Sequence, residues 1–150
     1  MKVKIADIRP CGNRIKLLTL VPDGGGSLPE FSAGAHIDLH LANGLIRQYS
    51  LCDYPVQNNA YSIAVLREDE SRGGSHYIHD GLKVGDTVEI SEPRNLFPLA
   101  EQQNRALLFA GGIGITPLIA MFEALLQQGI EVKLYYFCRS EADAAFLERL

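Results

Sequence analysis

His36-Ile37-Asp38-Leu39-His40-Leu41, then Asn43-Gly44, then Leu45-Ile46-Arg47-Gln48-Tyr49-Ser50-Leu51: this stretch decides the fold. Its first part alternates apolar and polar residues, which predicts a strand with one dry face and one wet face. Asn-Gly is the strongest short hairpin signal, because the tightest two-residue turn needs positive φ at both central positions. The last part is therefore the partner strand. Arg47 and Tyr49 are two apart on it, so both side chains leave on one face. That face offers a cation with planar donors beside an aromatic plane.

Outward from this hairpin the same grammar continues. Val3, Ile5 and Ile8 predict a first strand and Ile15 to Val21 a second, with Asp23-Gly24-Gly25-Gly26-Ser27 as a loop. Tyr61 to Arg67 and Thr87 to Ser91 supply two more strands, with a short helix over Gly74 to Asp80 and a turn at Gly85-Asp86. Six short strands with polar turns imply a small antiparallel barrel or sandwich over residues 1–101. At residue 102 the pattern changes. Ala106 to Ala110 is a continuous apolar run, as expected of a strand buried on both faces. The glycine-rich Gly111-Gly112-Ile113-Gly114-Ile115-Thr116-Pro117 follows, then a helical pattern from Leu118 to Gln128 with Gly129 as its stop. Val132 to Phe137 is a further strand, and Ser140, with Asp143 three residues on, predicts the N-cap of a last helix. Residues 102–150 thus read as β-α-β-α, the start of a parallel, Rossmann-like nucleotide-binding sheet with a right-handed crossover.

Composition narrows the function classes. The 150 residues are 47% apolar and 21% charged, which is globular. A net charge of −4 with no basic block leaves no electrostatic footprint for nucleic acid. The longest apolar run, Ala106 to Phe122, is broken by Gly111, Gly112, Gly114, Thr116 and Pro117, whereas a membrane span needs about 20 mostly apolar residues. Lys2, Lys4 and Asp7 alternate with apolar residues at the N-terminus, so no signal-peptide core is read there. Cys11, Cys52 and Cys138 have no ligand-like spacing and read as thiols of a reducing cytoplasm. No metal site is expected. His36 and His40 share a strand face with only Asp38 between them, and solvated residues are the plainer reading. His76 and His79, one helical turn apart, can flank a phosphate or simply face solvent.

Three further motifs carry chemistry. In Ser71-Arg72-Gly73-Gly74-Ser75 the glycines let backbone approach a ligand, and a helix follows whose free N–H groups can hold a phosphate. Set beside Arg47, Tyr49 and Ser50, this turn suits a planar, phosphorylated cofactor, and flavin mononucleotide fits best. The bland alternative is a surface strand near a flexible turn with an N-capping Ser75. The Gly111-to-Pro117 turn lets a dinucleotide pyrophosphate rest on a helix N-terminus. Its spacing is not G-x-G-x-x-G, since Pro117 stands where that pattern wants Gly or Ala. A tight structural turn is the alternative. Arg139 follows the second parallel strand, where a ribose-reading residue belongs; Arg tolerates a 2′-phosphate, and an exposed Arg beside an N-cap is the alternative.

Taken together and in this order, Gly34-Ala35-His36-Ile37-Asp38, Arg47 to Cys52, Gly73-Gly74-Ser75, Glu92-Pro93-Arg94-Asn95-Leu96-Phe97-Pro98-Leu99 and Ala110 to Pro117 resemble the ferredoxin–NADP reductase superfamily, and within it the reductase components of Rieske-type oxygenases. The resemblance implies a six-stranded antiparallel Greek-key barrel that binds FMN, followed by a nucleotide domain. It implies that Arg47, Gly73, Gly74 and Ser75 hold the FMN phosphate and that Gln48 and Tyr49 lie along the flavin. Ser50 would stand at flavin N5, and Ala64, Val65 and Arg67 would line the pyrimidine side. Gly111, Gly112 and Gly114 would face the pyrophosphate, with Thr116 near the nicotinamide and Arg139 near the ribose. Ser50 and Thr116 are then the residues nearest the hydride transfer. The short link from Arg72 to Ser75 leaves no adenine-binding insertion, which favours FMN over FAD. NADH or NADPH would be the electron donor, and a ferredoxin-type 2Fe–2S domain or an oxygenase component the acceptor. No C-x4-C-x2-C run occurs, so no iron–sulfur cluster is expected in this chain. The parallel unit stops after two strands, which predicts a truncated protein or a piece of a longer one. An FMN-binding module without reductase activity is the rival reading.

Overall fold

The computed structural model describes residues 1–101 and 104–150. The boundary expected at residue 102 lies outside the described residues. The first part is one sheet of six strands: β1 (Lys2–Pro10), β2 (Ile15–Pro22), β3 (His36–His40), β4 (Ile46–Ser50), β5 (Tyr61–Leu66) and β6 (Thr87–Ile90). A short helix, α1 (Gly74–Gly81), joins β5 to β6. Every pairing is antiparallel, in the order β4-β3-β6-β1-β2-β5. The end strands β4 and β5 approach each other, so the sheet rolls into the expected barrel and shields its edges.

The deciding hairpin forms, but its turn spans Ala42 to Gly44, and of Asn43 and Gly44 only Gly44 has a positive φ, +82°. Leu41 N donates to Leu45 O at 2.8 Å, Gly44 N donates to Leu41 O, and the Asn43 side chain accepts from Leu45 N. Arg47 pairs with Leu39 and Tyr49 with Ile37, so both share the face of two fully buried residues. Inside the barrel Val3, Ile5, Leu18, Leu20, Ile37, Leu39, Ile63 and Ile90 form one core, which Ile78 of α1 joins.

β2 and β5 are buried on both faces, and this places the rest of the chain. Leu18, Leu20, Ile63 and Val65 point into the barrel, while Ile15, Leu17 and Ala64 point out into a second core. That second core is filled by α2 (Ile115–Gln127), through Ile115, Leu118, Ile119 and Met121. α2 connects β7 (Arg105–Gly111) to β8 (Glu131–Phe137), which pair in parallel from Arg105–Glu131 to Gly111–Phe137. The helix begins at Ile115 rather than Leu118, with Pro117 in its first turn, where no N–H is needed.

Two expectations are corrected. β7 is not buried on both faces: with one helix on the two-stranded sheet, Leu107 is 55% and Phe109 62% exposed, and Phe109 stacks on Tyr135 at 5.0 Å. A continuous apolar run cannot reveal how many layers cover it. No α-helix follows Ser140 among the described residues either. Glu141–Asp143 and Leu147–Arg149 form single 3-10 turns, and the Ser140 hydroxyl donates to the Asp143 carboxylate at 2.8 Å instead of capping a backbone amide.

Gly34 is the tightest joint between the two cores. Its φ is +97°, and a Cβ there would overlap the Phe97 carbonyl oxygen and come within 2.6 Å of the Met121 methyl on α2. Gly34→Ala should therefore cost about 2–5 kcal/mol, from positive-φ strain added to overpacking against backbone. A urea titration with an unchanged slope and a lowered midpoint checks this.

Candidate functional site

The open part of the barrel is the seam between β4 and β5, which stand at opposite ends of the hydrogen-bonded order. Just beyond β4 the seam is stitched, where Cys52 N donates to Ser62 O of β5 at 2.9 Å, while Leu51 N, on the β3 side, donates to Ala35 O. Toward Arg47 it widens into a cleft of about 480 Å³. Pockets that hold small cofactors commonly measure about 300–1,000 Å³. Arg47, Gln48, Tyr49 and Ser50 from β4, Ala64 and Leu66 from β5, and Arg72 and Ser75 from the α1 entrance line it. Ile113, Gly114, Thr116 and Pro117, from the turn into α2, close the far wall.

At one end the cleft is built for an anion. α1 starts after Gly73, in the left-handed region at φ +89°, and no side chain caps it, so its first N–H groups face outward. The Arg47 guanidinium lies over this turn and donates to Arg72 O at 3.2 Å and to Ile46 O at 2.9 Å. Only a glycine at position 74 leaves room for it, since a Cβ there would come within 2.6 Å of Arg47 Nε. Ser75 is buried, and its hydroxyl accepts from Glu68 N at 3.2 Å. The Ser75 hydroxyl thus holds the β5–α1 loop.

At the other end the cleft is flatter and drier. Burial pushes the Tyr49 hydroxyl up to about 12, with Arg47 pulling it down and Glu68 pushing it further up. The phenol is neutral at any working pH and serves as a plane. Among the described residues the Ser50 hydroxyl has no partner, so it is free to meet a ligand. Thr116 donates to Ile113 O at 3.0 Å, which leaves its oxygen as an acceptor toward the cleft.

A second cleft of about 660 Å³ shares Leu66, Glu68 and Ile113 with the first. Arg67, Gly112 and Arg139 line it, with Arg14, Asp69 and Asp143. The 3-10 turn Gly112–Gly114 is thus the wall between the two clefts. Four expected site residues stand apart from these linings, among them Gly74, which packs under Arg47. The Val65 side chain is in the barrel core, Gly73 shapes the α1 entrance without lining the cleft, and Gly111 is exposed at the end of β7.

Chains with this arrangement are known. No protein-family model matches the chain. It is 49% identical over its whole length to a vanillate O-demethylase oxidoreductase of Pseudomonas sp. (strain HR199 / DSM 7063), of which it spans 47%. It is 45% identical, again over its whole length, to the reductase subunit of the tert-butanol monooxygenase / tert-amyl alcohol desaturase of Aquincola tertiaricarbonis, of which it spans 44%. The solved structure of phthalate dioxygenase reductase, titled a modular structure for electron transfer from pyridine nucleotides to [2Fe-2S], superposes on all of the chain and 47% of its own length. The TM-score is 0.95 and the identity 40%. Over its whole length the chain is thus similar to oxygenase reductases with a ferredoxin–NADP reductase-like fold. It spans about half the length of the curated relatives it matches.

Several residues that shape the site carried no sequence signal. Glu68 lies between the two clefts, and its backbone is held twice: Ser75 accepts from its N–H, and His76 Nε2 donates to its carbonyl at 2.7 Å. His79 Nε2 donates to Val65 O at 2.8 Å, and burial holds this imidazole below its ordinary pKa. The two histidines therefore fasten the loop and do not simply face solvent. Their one-turn spacing was visible in the sequence, but their partners, being backbone carbonyls, were not. Arg14 forms a two-pronged ion pair with Asp69 of the same loop. Asp38, between His36 and His40, is committed to Arg94 at 2.6 Å, and that guanidinium holds its carboxyl below the usual range.

Gly74→Ala tests the anion end. The clash falls on a flexible side chain, so stability should change by less than about 1 kcal/mol, while displacing Arg47 should weaken the binding of a phosphorylated flavin by about tenfold. Fluorescence titration of FMN, with thermal melts alongside, reads both quantities.

Proposed function

We propose that the chain is the flavin-binding barrel and the beginning of the nucleotide domain, residues 1–101 and 102–150, of an NAD(P)H-dependent FMN oxidoreductase that supplies an oxygenase. The observation that carries this is the convergence of Arg47, Tyr49, Ser50, the α1 entrance and Thr116 on one cleft, beside a second cleft across a glycine turn. Bound flavin supplies the chemistry, accepting a hydride at N5 and releasing electrons singly, and the protein contributes binding and orientation.

The residues fit that group. Arg47 and the uncapped first turn of α1 meet the phosphate, as a helix N-terminus beside a guanidinium does. Gly74 is the cradle, and the helix begins at once after Gly73, which supports FMN over a dinucleotide flavin. Tyr49 gives the ring system a neutral plane to lie along. Ser50, with its hydroxyl uncommitted, can hydrogen-bond at the ring's reacting edge. Gly112, Gly114 and Arg139 take the pyrophosphate and ribose of the reduced nucleotide, and Thr116 orients its nicotinamide end. No general base is needed, because hydride transfer moves no separate proton through a side chain.

The single-electron acceptor proposed is a ferredoxin-type 2Fe–2S domain or the oxygenase itself, since relatives bear the names of oxygenase reductases. Those names favour a reductase over a flavin-binding module without activity. No helix among the described residues is long and apolar enough to cross a membrane. The unpaired thiols of Cys11, Cys52 and Cys138 support a cytoplasmic setting.

Ser50→Ala separates binding from chemistry. Flavin reduction by NADH, followed anaerobically by bleaching of the flavin bands, should slow by about tenfold or more, while FMN affinity changes by about twofold at most. Equal loss in both would remove Ser50 from the reacting edge. Colourless protein that takes up no added FMN would end the reading altogether.

A further inference from the structure

The Arg149 side chain makes four hydrogen bonds, and the function described above does not use it. It sits on the 3-10 turn Leu147–Arg149, after Phe146, whose ring lies 5.0 Å from the guanidinium carbon. Nη1 donates to Asp53 at 2.8 Å, and Nη2 donates to Cys52 O at 2.9 Å. Nε and Nη2 both donate to Glu123, at 3.0 and 2.7 Å. Cys52 and Asp53 follow directly from the strand that ends in Ser50, and Glu123 is on α2, two turns beyond Thr116.

Among the described residues, the ion pair of Arg149 with Asp53 is the only one that joins the six-stranded part to the parallel part, and the pair with Glu123 anchors the same guanidinium on α2. Other links carry no cation: Asn13 N donates to Ala142 O at 2.6 Å and its side-chain amide to the Asp143 carboxylate at 3.0 Å, and a long bond runs from Gln127 to Tyr54 O at 3.4 Å. The asymmetry matters. One cation stands between a carboxylate on each side of the joint, and all three side chains are only 25–35% exposed, so solvent screens them incompletely. Without the cation, Asp53 and Glu123 face each other as like charges. Removing Arg149 turns an attraction across the joint into a repulsion.

We propose that Arg149 is a positioning residue that holds the Ser50 strand end and α2 in fixed alignment across the cleft. What that alignment serves rests on the flavin-reductase reading; the alignment itself does not. The guanidinium's planar fork reaches a carbonyl and two carboxylates together. It touches neither cleft wall, so it acts only through the elements it joins.

The test compares Arg149→Met, Arg149→Lys and the double variant Arg149→Met/Glu123→Gln. Spin labels at the exposed positions Lys4 and Gln128, with Cys11 and Cys138 replaced by Ser, report the distance between the two parts. Arg149→Met should broaden that distribution and slow flavin reduction by NADH by about tenfold, with FMN affinity kept within about twofold. Lys restores the cation and Glu123→Gln removes the repulsion, so each should recover most of the narrow distribution. An unchanged distribution in Arg149→Met overturns the proposal, as does FMN affinity that falls in step with the rate. Should NADH fail to reduce FMN bound to the unsubstituted chain, the reductase reading falls, and the distance distributions alone decide the role of Arg149.

Discussion

The hydrogen bond from Cys52 N to Ser62 O is small, but the site hangs on it. β4 and β5 are the two ends of a six-stranded sheet, and curling the sheet brings them together without completing their ladder. One bond pins the seam beyond Ser50, and from there toward Arg47 the strands diverge. A barrel that closed along the whole seam would have no place for a planar guest. One that never closed would expose its core. The partial closure gives both a dry interior and an opening bordered by backbone and by the Arg47–Tyr49 pair.

Burying β2 and β5 on both faces is the second constraint. A strand inside a barrel ordinarily turns every other residue to water, but here Ile15, Leu17 and Ala64 face a second core instead. That core seats α2 with its N-terminal turn at the mouth of the seam. The glycine-rich turn therefore separates two clefts and is not buried in one. Gly34, accepting Phe97 and Met121 at close range, sets how near the helix comes. The site is thus a property of the joint between two sheets, and neither sheet contains it alone.

Its electrostatics follow the same division of labour. Positive character gathers at the α1 end, where Arg47, Arg72 and unpaired helix amides meet. Tyr49, driven neutral by burial, and the uncommitted Ser50 occupy the other end. The loop that joins β5 to α1 has no regular structure of its own. It is held by Ser75 and His76 at Glu68, by Arg14 at Asp69 and by Arg47 at Arg72. Holding a loop by side chains from rigid elements is how a binding site keeps its shape with little secondary structure.

Much of this was legible in the residues alone. Alternation over His36 to Leu41 and the Asn43-Gly44 turn specify the hairpin, because side-chain period and positive φ are local properties. The ordered set of motifs, from Gly34 to Pro117, carries the likeness to those reductases, and Arg47, Tyr49, Ser50 and Thr116 line one cleft. Local signals fail where a partner is distant. The apolar run of β7 says nothing of the single helix that covers it, and Ser140 can bond a carboxylate as readily as cap a helix. Glu68, His76 and Arg149 gain their roles from carbonyls and carboxylates up to 97 residues away, which no spacing rule encodes. The sequence by itself determined the strands, their turns and the chemistry available, since these depend on neighbours along the chain. Only the tertiary structure decided which of those groups share a cleft and what holds it open, since that depends on which faces are buried against each other.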